Sequence, residues 1–164
     1  MKVDETAIQV KMFPYLAYEK HHRFITPNSC NIFPWEADLL SVTRAGYYHE
    51  FEIKISAADF KADFRKESKH KHLKLKTAIA PRYFWYVICG FSVEEIELPD
   101  YAGLIEIVVW DEELKYVRII KKAPRLGDRK ITDSEKERLY QAAYYRFWRE
   151  IETRMRWRTP NDRL

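Results

Sequence analysis

Two adjacent segments alternate apolar and polar residues in the way that half-buried β-strands do. They cover residues 35–43 and 47–56 and flank residues 44–46, Arg-Ala-Gly, where the glycine suits the positive φ of a tight turn. This pattern predicts a β-hairpin that turns at residues 44–46. If the two strands pair across this three-residue turn, Asp38 faces Glu52, and Glu36 faces Lys54.

The second of these strands separates an apolar face from a charged face, because side chains alternate along a strand. Its apolar face contains Phe51, Ile53 and Ile55, and its charged face contains Glu50, Glu52 and Lys54. With Glu36 and Asp38 on the neighbouring strand, the hairpin is predicted to gather several carboxylates and one ammonium on a small part of a sheet.

The rest of the chain is predicted to form further elements of the same compact domain. This domain covers residues 1–164, because a chain of this length can form a single hydrophobic core. Periodicity predicts a helix over 4–21 that Pro14 bends or ends, a turn at 26–29, and a helix from about 56 to 80 with Asp59 and Asp63 as capping residues. It also predicts strands at 83–89, 103–110 and 114–120 and a C-terminal basic and aromatic helix over 133–158. We therefore expect an α/β fold with a mixed central sheet flanked by helices. The stripe of Tyr140, Tyr144, Phe147 and Ile151 on the last helix is predicted to face the core, and stacking on nucleic-acid bases is the alternative left open by the interleaved arginines.

Composition narrows the functional classes. The chain is 46% apolar and 15% aromatic, which excludes a disordered protein. Cys30 and Cys89 are isolated and lack the spacing of a zinc site or a disulfide scaffold, which favours a reducing compartment. The sequence shows no glycine-rich phosphate loop, no signal peptide and no long apolar span, so we expect a cytoplasmic protein without a membrane partner.

Charge is unevenly distributed along the chain, although the formal net charge is only +4. Basic residues are concentrated in 61–82 and 121–164, whereas 83–113 contains none. Such segregation is typical of proteins with a basic face for nucleic acid. Candidate phosphate contacts are Lys69, Lys71, His72, Lys74 and Lys76, and a solvated helix end is an equally good interpretation of this run.

Several carboxylates on one face of a hairpin need a compensating cation, because facing like charges destabilise a sheet. Mg²⁺ is the simplest candidate, since it prefers oxygen ligands and is commonly held by one or two carboxylates. The residues alone leave a plainer alternative open, in which the hairpin face is solvated, binds no metal and pairs Glu36 with Lys54.

The spacing of Asp38 and Glu52-Ile53-Lys54 resembles the Asp…(Asp/Glu)-x-Lys signature of the PD-(D/E)XK nuclease superfamily. The resemblance continues through Ser56 to Phe60, a basic helix, the aromatic run 83–87 and the segment 102–105, and it covers roughly residues 33–123. It is similar to the small bacterial and phage members of that superfamily. The proline that usually precedes the first aspartate is absent, since Ala37 stands there.

This resemblance implies a restriction endonuclease-like αβββαβ core and a DNA nuclease that depends on Mg²⁺ or Mn²⁺, with an endonuclease favoured over an exonuclease. It implies Asp38, Glu52 and Lys54 as catalytic residues. The implied metal ligands are Asp38, Glu52 and the backbone carbonyl of Ile53, with Glu36 or an acid of the first helix, Glu19 or Glu5, as further candidates.

Two other functional classes remain open from the sequence. One is a non-cleaving DNA-binding or DNA-repair accessory module that retains the nuclease fold. The other is an interaction protein whose acidic hairpin only faces solvent. Whether the chain forms a homodimer is also left open.

Overall fold

The computed structural model describes residues 3–156, and contacts within the chain divide it into two compact units. The first unit extends to Ile131 and the second begins at Thr132, where the sequence predicted a single domain. The first unit is an α/β protein with a six-stranded mixed sheet, as expected at this level of description.

The elements follow one another simply along the chain. The helices are α1 Glu5–Pro14, α2 Ala57–Asp63, α3 Glu67–Lys74 and α4 Asp133–Arg156. The strands are β1 Arg23–Ser29, β2 Ala37–Val42, β3 Tyr48–Lys54, β4 Tyr83–Ile88, β5 Ala102–Trp110 and β6 Glu113–Lys121. Their order in the sheet is β1 to β6; β3, β4 and β5 run parallel, and the other neighbours are antiparallel. No helix within residues 3–156 is long and apolar enough to cross a bilayer.

The sheet separates two apolar cores. On one face, Ile8 of α1 packs in a cluster with Phe51 of β3. On the other face, Phe60 of α2 and Leu73 of α3 pack in a cluster with Tyr86 of β4. Because helices cover both faces, the charged face of β3 lies beneath α2 and α3 instead of facing solvent.

The β2–β3 hairpin has the register that the sequence predicted. Leu39 pairs with Phe51, and Gly46 in the turn adopts a φ of 87°. The next residues in this register are Asp38 and Glu52, which therefore lie opposite each other. Glu36 precedes β2 and is exposed, so the predicted cross-strand pair of Glu36 with Lys54 is wrong.

Strand β1 replaces the turn that the sequence predicted at residues 26–29. Pro27 has no N–H to donate, the register shifts between Arg23 and Thr26, and Phe24 and Asn28 have φ values of 49° and 47°. An edge strand tolerates these interruptions because one side of its backbone needs no partner in the sheet. The same interruptions removed the alternating pattern by which a strand is recognised.

The helix predicted from about 56 to 80 is two short helices. Helix α2 ends at Asp63, α3 begins at Glu67, and α3 stops at Lys74 because Lys76 adopts a φ of 51°. The first predicted helix is similarly divided, since α1 ends at Pro14 and a π-helical turn follows at Tyr15–Glu19. The break between α2 and α3 directs two lysines toward the charged face of β3.

The helix of the second unit is where the sequence predicted it, and residues 157 and 158 of that prediction lie outside the described part of the chain. Its aromatic stripe is not core. Tyr140, Tyr144 and Phe147 are exposed, so the prediction that this stripe is buried is wrong. The error arose because a helical apolar period shows that a stripe exists but not what covers it.

Packing of β5 can be tested at Gly103, where an added Cβ would stand 2.5 Å from the Trp85 ring and 2.6 Å from the backbone nitrogen of Ala123. We expect Gly103→Ala to destabilise the protein by about 1–3 kcal/mol, because backbone cannot yield as a flexible side chain can. Urea unfolding measures this change. Gly127→Ala is the control, since its Cβ would meet nothing within 4 Å. Equal unfolding midpoints for the two variants would contradict the close approach.

Candidate active site

Asp38, Glu52 and Lys54 meet at one end of the sheet, because β2 begins where the antiparallel strand β3 ends. The Asp38 carboxylate accepts a hydrogen bond from the backbone N–H of Ile53 at 2.7 Å. The Asp38 carbonyl accepts another from the Gln9 side chain at 2.8 Å. Helix α1 and strand β3 thus hold the first residues of β2 in place.

Glu52 is completely buried and forms ion pairs with three lysines. Its Oε1 lies 2.9 Å from the Nζ of Lys54 and 2.7 Å from that of Lys66, and its Oε2 lies 3.0 Å from that of Lys69. The charged face of β3 is therefore an internal ionic cluster. The alternative of a solvated hairpin face does not describe this arrangement.

Asp63 is the second acid of this cluster. Its two carboxylate oxygens each lie 3.0 Å from the Lys69 ammonium, and the Tyr86 hydroxyl donates to it at 2.8 Å. Burial alone would raise the pKa of Asp63, but the contact with His70 and the nearby ammonium groups of Lys69 and Lys54 hold that pKa far below its usual range. Asp63 was predicted to cap the helix; Ser56 is the residue that caps α2.

Lys54 and Lys66 remain ammonium groups in this environment. Burial by itself would lower the pKa of Lys54, but Glu52 and Asp63 raise it above its ordinary value. The same two acids overcome burial at Lys66 and raise its pKa. Lys54 is almost fully buried, whereas about half of the Lys66 side chain is exposed, so only Lys66 can readily turn to solvent.

A second group of acids adjoins the cluster. Burial and the charge of Glu52 raise the pKa of Asp38 to about 7, although the N–H of Ile53 opposes the shift. Burial, followed by the charge of Glu52, also raises the pKa of Glu5 on α1. Of the helix acids that the resemblance suggested, Glu5 is therefore electrostatically coupled to the site, while Glu19 is exposed at the end of the π-helical turn.

The donor set fits a cation with oxygen ligands. Within residues 3–156, no three His, Cys, Asp or Glu side chains stand in a metal-binding arrangement. Asp38 and Glu52 nevertheless supply two carboxylates, and burial followed by their mutual repulsion raises the pKa of Asp38, so a cation bound at these carboxylates would be favoured. Mg²⁺ commonly accepts two such ligands and completes its shell with water. At Glu52 it would compete with the lysine ammonium groups.

The lysines predicted to contact DNA divide into two sets. Lys71, Lys74 and Lys76 are exposed on α3 and just after it. Lys69 is only 1% exposed, so the prediction that it contacts phosphate at the surface is wrong. His72 is partly buried, stacks on Trp35 and hydrogen-bonds with Thr77 at 2.9 Å.

Three residues of the cluster were missed by sequence reasoning: Asp63 as a buried acid, Lys66 and Tyr86. Two signals point to them. Asp63 is three residues after Phe60 and so lies on the buried side of α2. Tyr86 stands beside Glu52 in the parallel pairing of β3 with β4. Lys66 lies outside both helices and has no such pattern.

Comparison with known proteins gives one structural match. No model of a known protein family matches the sequence, and no curated protein matches it either. A solved structure, the SPO1766 protein of unknown function from Silicibacter pomeroyi, aligns with a TM-score of 0.59 and 15% identity over 93% of this chain and 92% of that one. The likeness shows that the two chains share a fold.

Glu50 lies next to the cluster as a completely buried carboxyl that accepts a hydrogen bond from the Trp35 indole at 2.9 Å. Burial raises its pKa to about 8, and the charge of Lys69 only partly opposes this shift. The group is therefore mainly protonated at neutral pH, so folding takes up a proton from the solvent between pH 4.5 and about 8.

This burial predicts a pH dependence of stability. Because the pKa of Glu50 is higher in the folded state than its ordinary value of 4.5, its contribution should fall as pH rises from 4.5 to about 8. The fall is at most about 1.4 kcal/mol per pH unit for one proton. Glu50→Gln keeps the acceptor for Trp35 but cannot ionise, so its free energy of unfolding should rise relative to wild type over that range. Parallel curves from urea unfolding would contradict the shift.

Proposed function

We propose that this chain is a DNA nuclease of the PD-(D/E)XK type that depends on Mg²⁺ or Mn²⁺, with an endonuclease favoured. The observation behind this proposal is the placement of Asp38 opposite Glu52 at the end of the β2–β3 hairpin, with the Lys54 ammonium 2.9 Å from Glu52. Two carboxylates and a lysine in this arrangement are the groups that metal-assisted phosphodiester hydrolysis requires.

The topology supports the same proposal. The first unit runs as one helix, three antiparallel strands, a pair of short helices and a strand parallel to β3. This order agrees with the αβββαβ core that the resemblance implies. The structural match is to a protein of unknown function, so it adds support for the fold only.

The chain's own residues would divide the chemistry as follows. Asp38, Glu52 and the backbone carbonyl of Ile53 would hold the metal ion, which when bound acidifies a water and offsets charge on the phosphate. Lys54 is a charged ammonium fixed by buried acids, so it is suited to stabilise negative charge that develops on the phosphate in the transition state. Lys66 is half exposed and can leave Glu52 to pair with the phosphate backbone.

One observation favours the alternative of a non-cleaving DNA-binding or DNA-repair accessory module. Three ammonium groups already compensate Glu52 without any metal ion. In such a module the ionic cluster would serve the fold alone, and the exposed lysines of α3 would bind DNA. The two functions differ in whether a metal ion displaces an ammonium group from Glu52.

The nuclease proposal predicts that Asp38→Asn and Lys54→Met each lower cleavage of duplex or single-stranded DNA by about a hundredfold or more, because each removes a group that acts in the transition state. Rates are measured with Mg²⁺, Mn²⁺ or chelator present. Lys122→Ala, an exposed lysine away from the site, should cleave normally. Since Lys54 is buried among acids, its variant must also show a wild-type far-UV spectrum.

Two results would separate the candidates. If the Lys54→Met variant folds and cleaves DNA normally, Lys54 is not catalytic and the nuclease proposal is wrong. A wild type that binds DNA but cleaves nothing with either metal would instead favour the accessory module. Titration of Mn²⁺ gives an independent readout, since Asp38→Asn should weaken binding only if the carboxylates form a metal site.

Exposed lysines on α3 predict a salt-dependent affinity for DNA. The triple variant Lys71→Ala, Lys74→Ala and Lys76→Ala should reduce the slope of log affinity against log salt by about 2–3, because roughly one counterion is released per phosphate contact. Fluorescence anisotropy at several salt concentrations measures the slope. The triple variant Lys115→Ala, Lys121→Ala and Lys122→Ala changes the net charge equally. An identical effect in both variants would assign the slope to overall charge and not to α3.

A further inference from the structure

Helix α4 presents an apolar stripe to solvent. Tyr140, Tyr144 and Phe147 are 63%, 59% and 59% exposed, and Ile151 continues the stripe. The intervals of four, three and four residues place these side chains at the a and d positions of a heptad pattern, which is the seam of a two-helix pair. Large aromatic groups in such a continuous row mark an interaction surface.

Two buried residues of α4 lie off the stripe. Glu135 and Leu139 are 5% and 2% exposed, and at 100° per residue they lie roughly 150° and 110° around the helix from the centre of the stripe. The aromatic side chains of the stripe are themselves exposed, so a second helix of similar length can pack along them.

The stripe is complementary to itself when two copies run antiparallel. With Tyr144 placed opposite Phe147 of the partner subunit, Tyr140 falls opposite Ile151 of the partner subunit. A two-fold axis repeats both contacts, which gives four apolar layers along the seam. An isologous contact of this kind requires only one surface per chain.

Charge supports the same register. Glu137 and Arg154 are the next a and d positions beyond the apolar layers, and both are exposed. In the antiparallel register Glu137 falls opposite Arg154 of the partner subunit, at both ends of the seam. A parallel pair in register would instead place Glu137 against Glu137 of the partner subunit, which is repulsive. Within the single helix Arg154 pairs with Glu150 at 3.0 Å, and its side chain is 77% exposed, so it is also accessible to a partner subunit.

We propose that the chain forms a homodimer through an antiparallel pairing of α4, with Tyr140, Tyr144, Phe147 and Ile151 in the seam and Glu137 and Arg154 closing each end. The paired segment, 137–154, is about 27 Å long. This association does not depend on nuclease activity. It defines a self-association surface outside the ionic cluster.

Sedimentation equilibrium of the full chain tests the proposal. We expect a dimer in the wild type. Tyr144→Ser should weaken dimerisation about a hundredfold or more, because each dimer loses two aromatic anchors. Glu137→Arg and Arg154→Glu should each weaken it about tenfold by placing like charges together. The double variant Glu137→Arg with Arg154→Glu should recover most of the affinity. Glu152→Arg, a charge reversal outside the seam, should have no such effect.

Several results would overturn the proposal: a wild type that stays monomeric at about 100 µM, a dimer that Tyr144→Ser leaves intact, or charge reversals that the double variant does not rescue. The competing occupant of the stripe is single-stranded nucleic acid, which would stack bases on the same aromatics. A monomer whose affinity for an oligonucleotide falls in Tyr144→Ser would identify that occupant and exclude the dimer.

Discussion

The buried carboxylate of Glu52 is the constraint around which the first unit is organised. A charge removed from water within a sheet is costly unless ionic partners and hydrogen bonds compensate it. Lys54 comes from the same strand, whereas Lys66 and Lys69 come from the break between α2 and α3 and from α3 itself. Asp63 then balances the added positive charge. The path of the chain from β3 to α3 therefore determines which charged side chains the site contains.

The same charge balance decides between the two candidate functions. In the proposed nuclease a metal ion would compete with a lysine ammonium for Glu52, and the half-exposed Lys66 is the partner that could leave at the lowest cost. Lys54 and Lys69 are held inside the protein, so removing either takes a buried ion-pair partner from both Glu52 and Asp63. Such a site can exchange its cation at the exposed position of Lys66, whereas its buried ion pairs with Lys54 and Lys69 resist substitution.

Sequence reasoning succeeded where a local pattern determined the structure. Alternation fixed the hairpin register and placed Asp38 opposite Glu52, and the apolar run 83–89 marked β4. It failed where tertiary contacts decided. Nothing local distinguishes the buried Lys69 from the exposed Lys71, and Lys66 reaches Glu52 only because the helix breaks. The stripe on α4 is a related case, since a helical period predicts that an apolar stripe exists but does not say which surface packs against it.

The edges of the sheet bear on how copies of this protein can associate. On one edge, Pro27 and the irregular register of β1 interrupt the row of N–H groups that another strand would need. On the other, β6 displays Lys115, Arg118 and Lys121, and like charges discourage the approach of a second β6. Growth of the sheet from chain to chain is thereby opposed at both ends. Edge-to-edge pairing of strands is therefore an unfavourable route by which copies of this protein could assemble into fibrils.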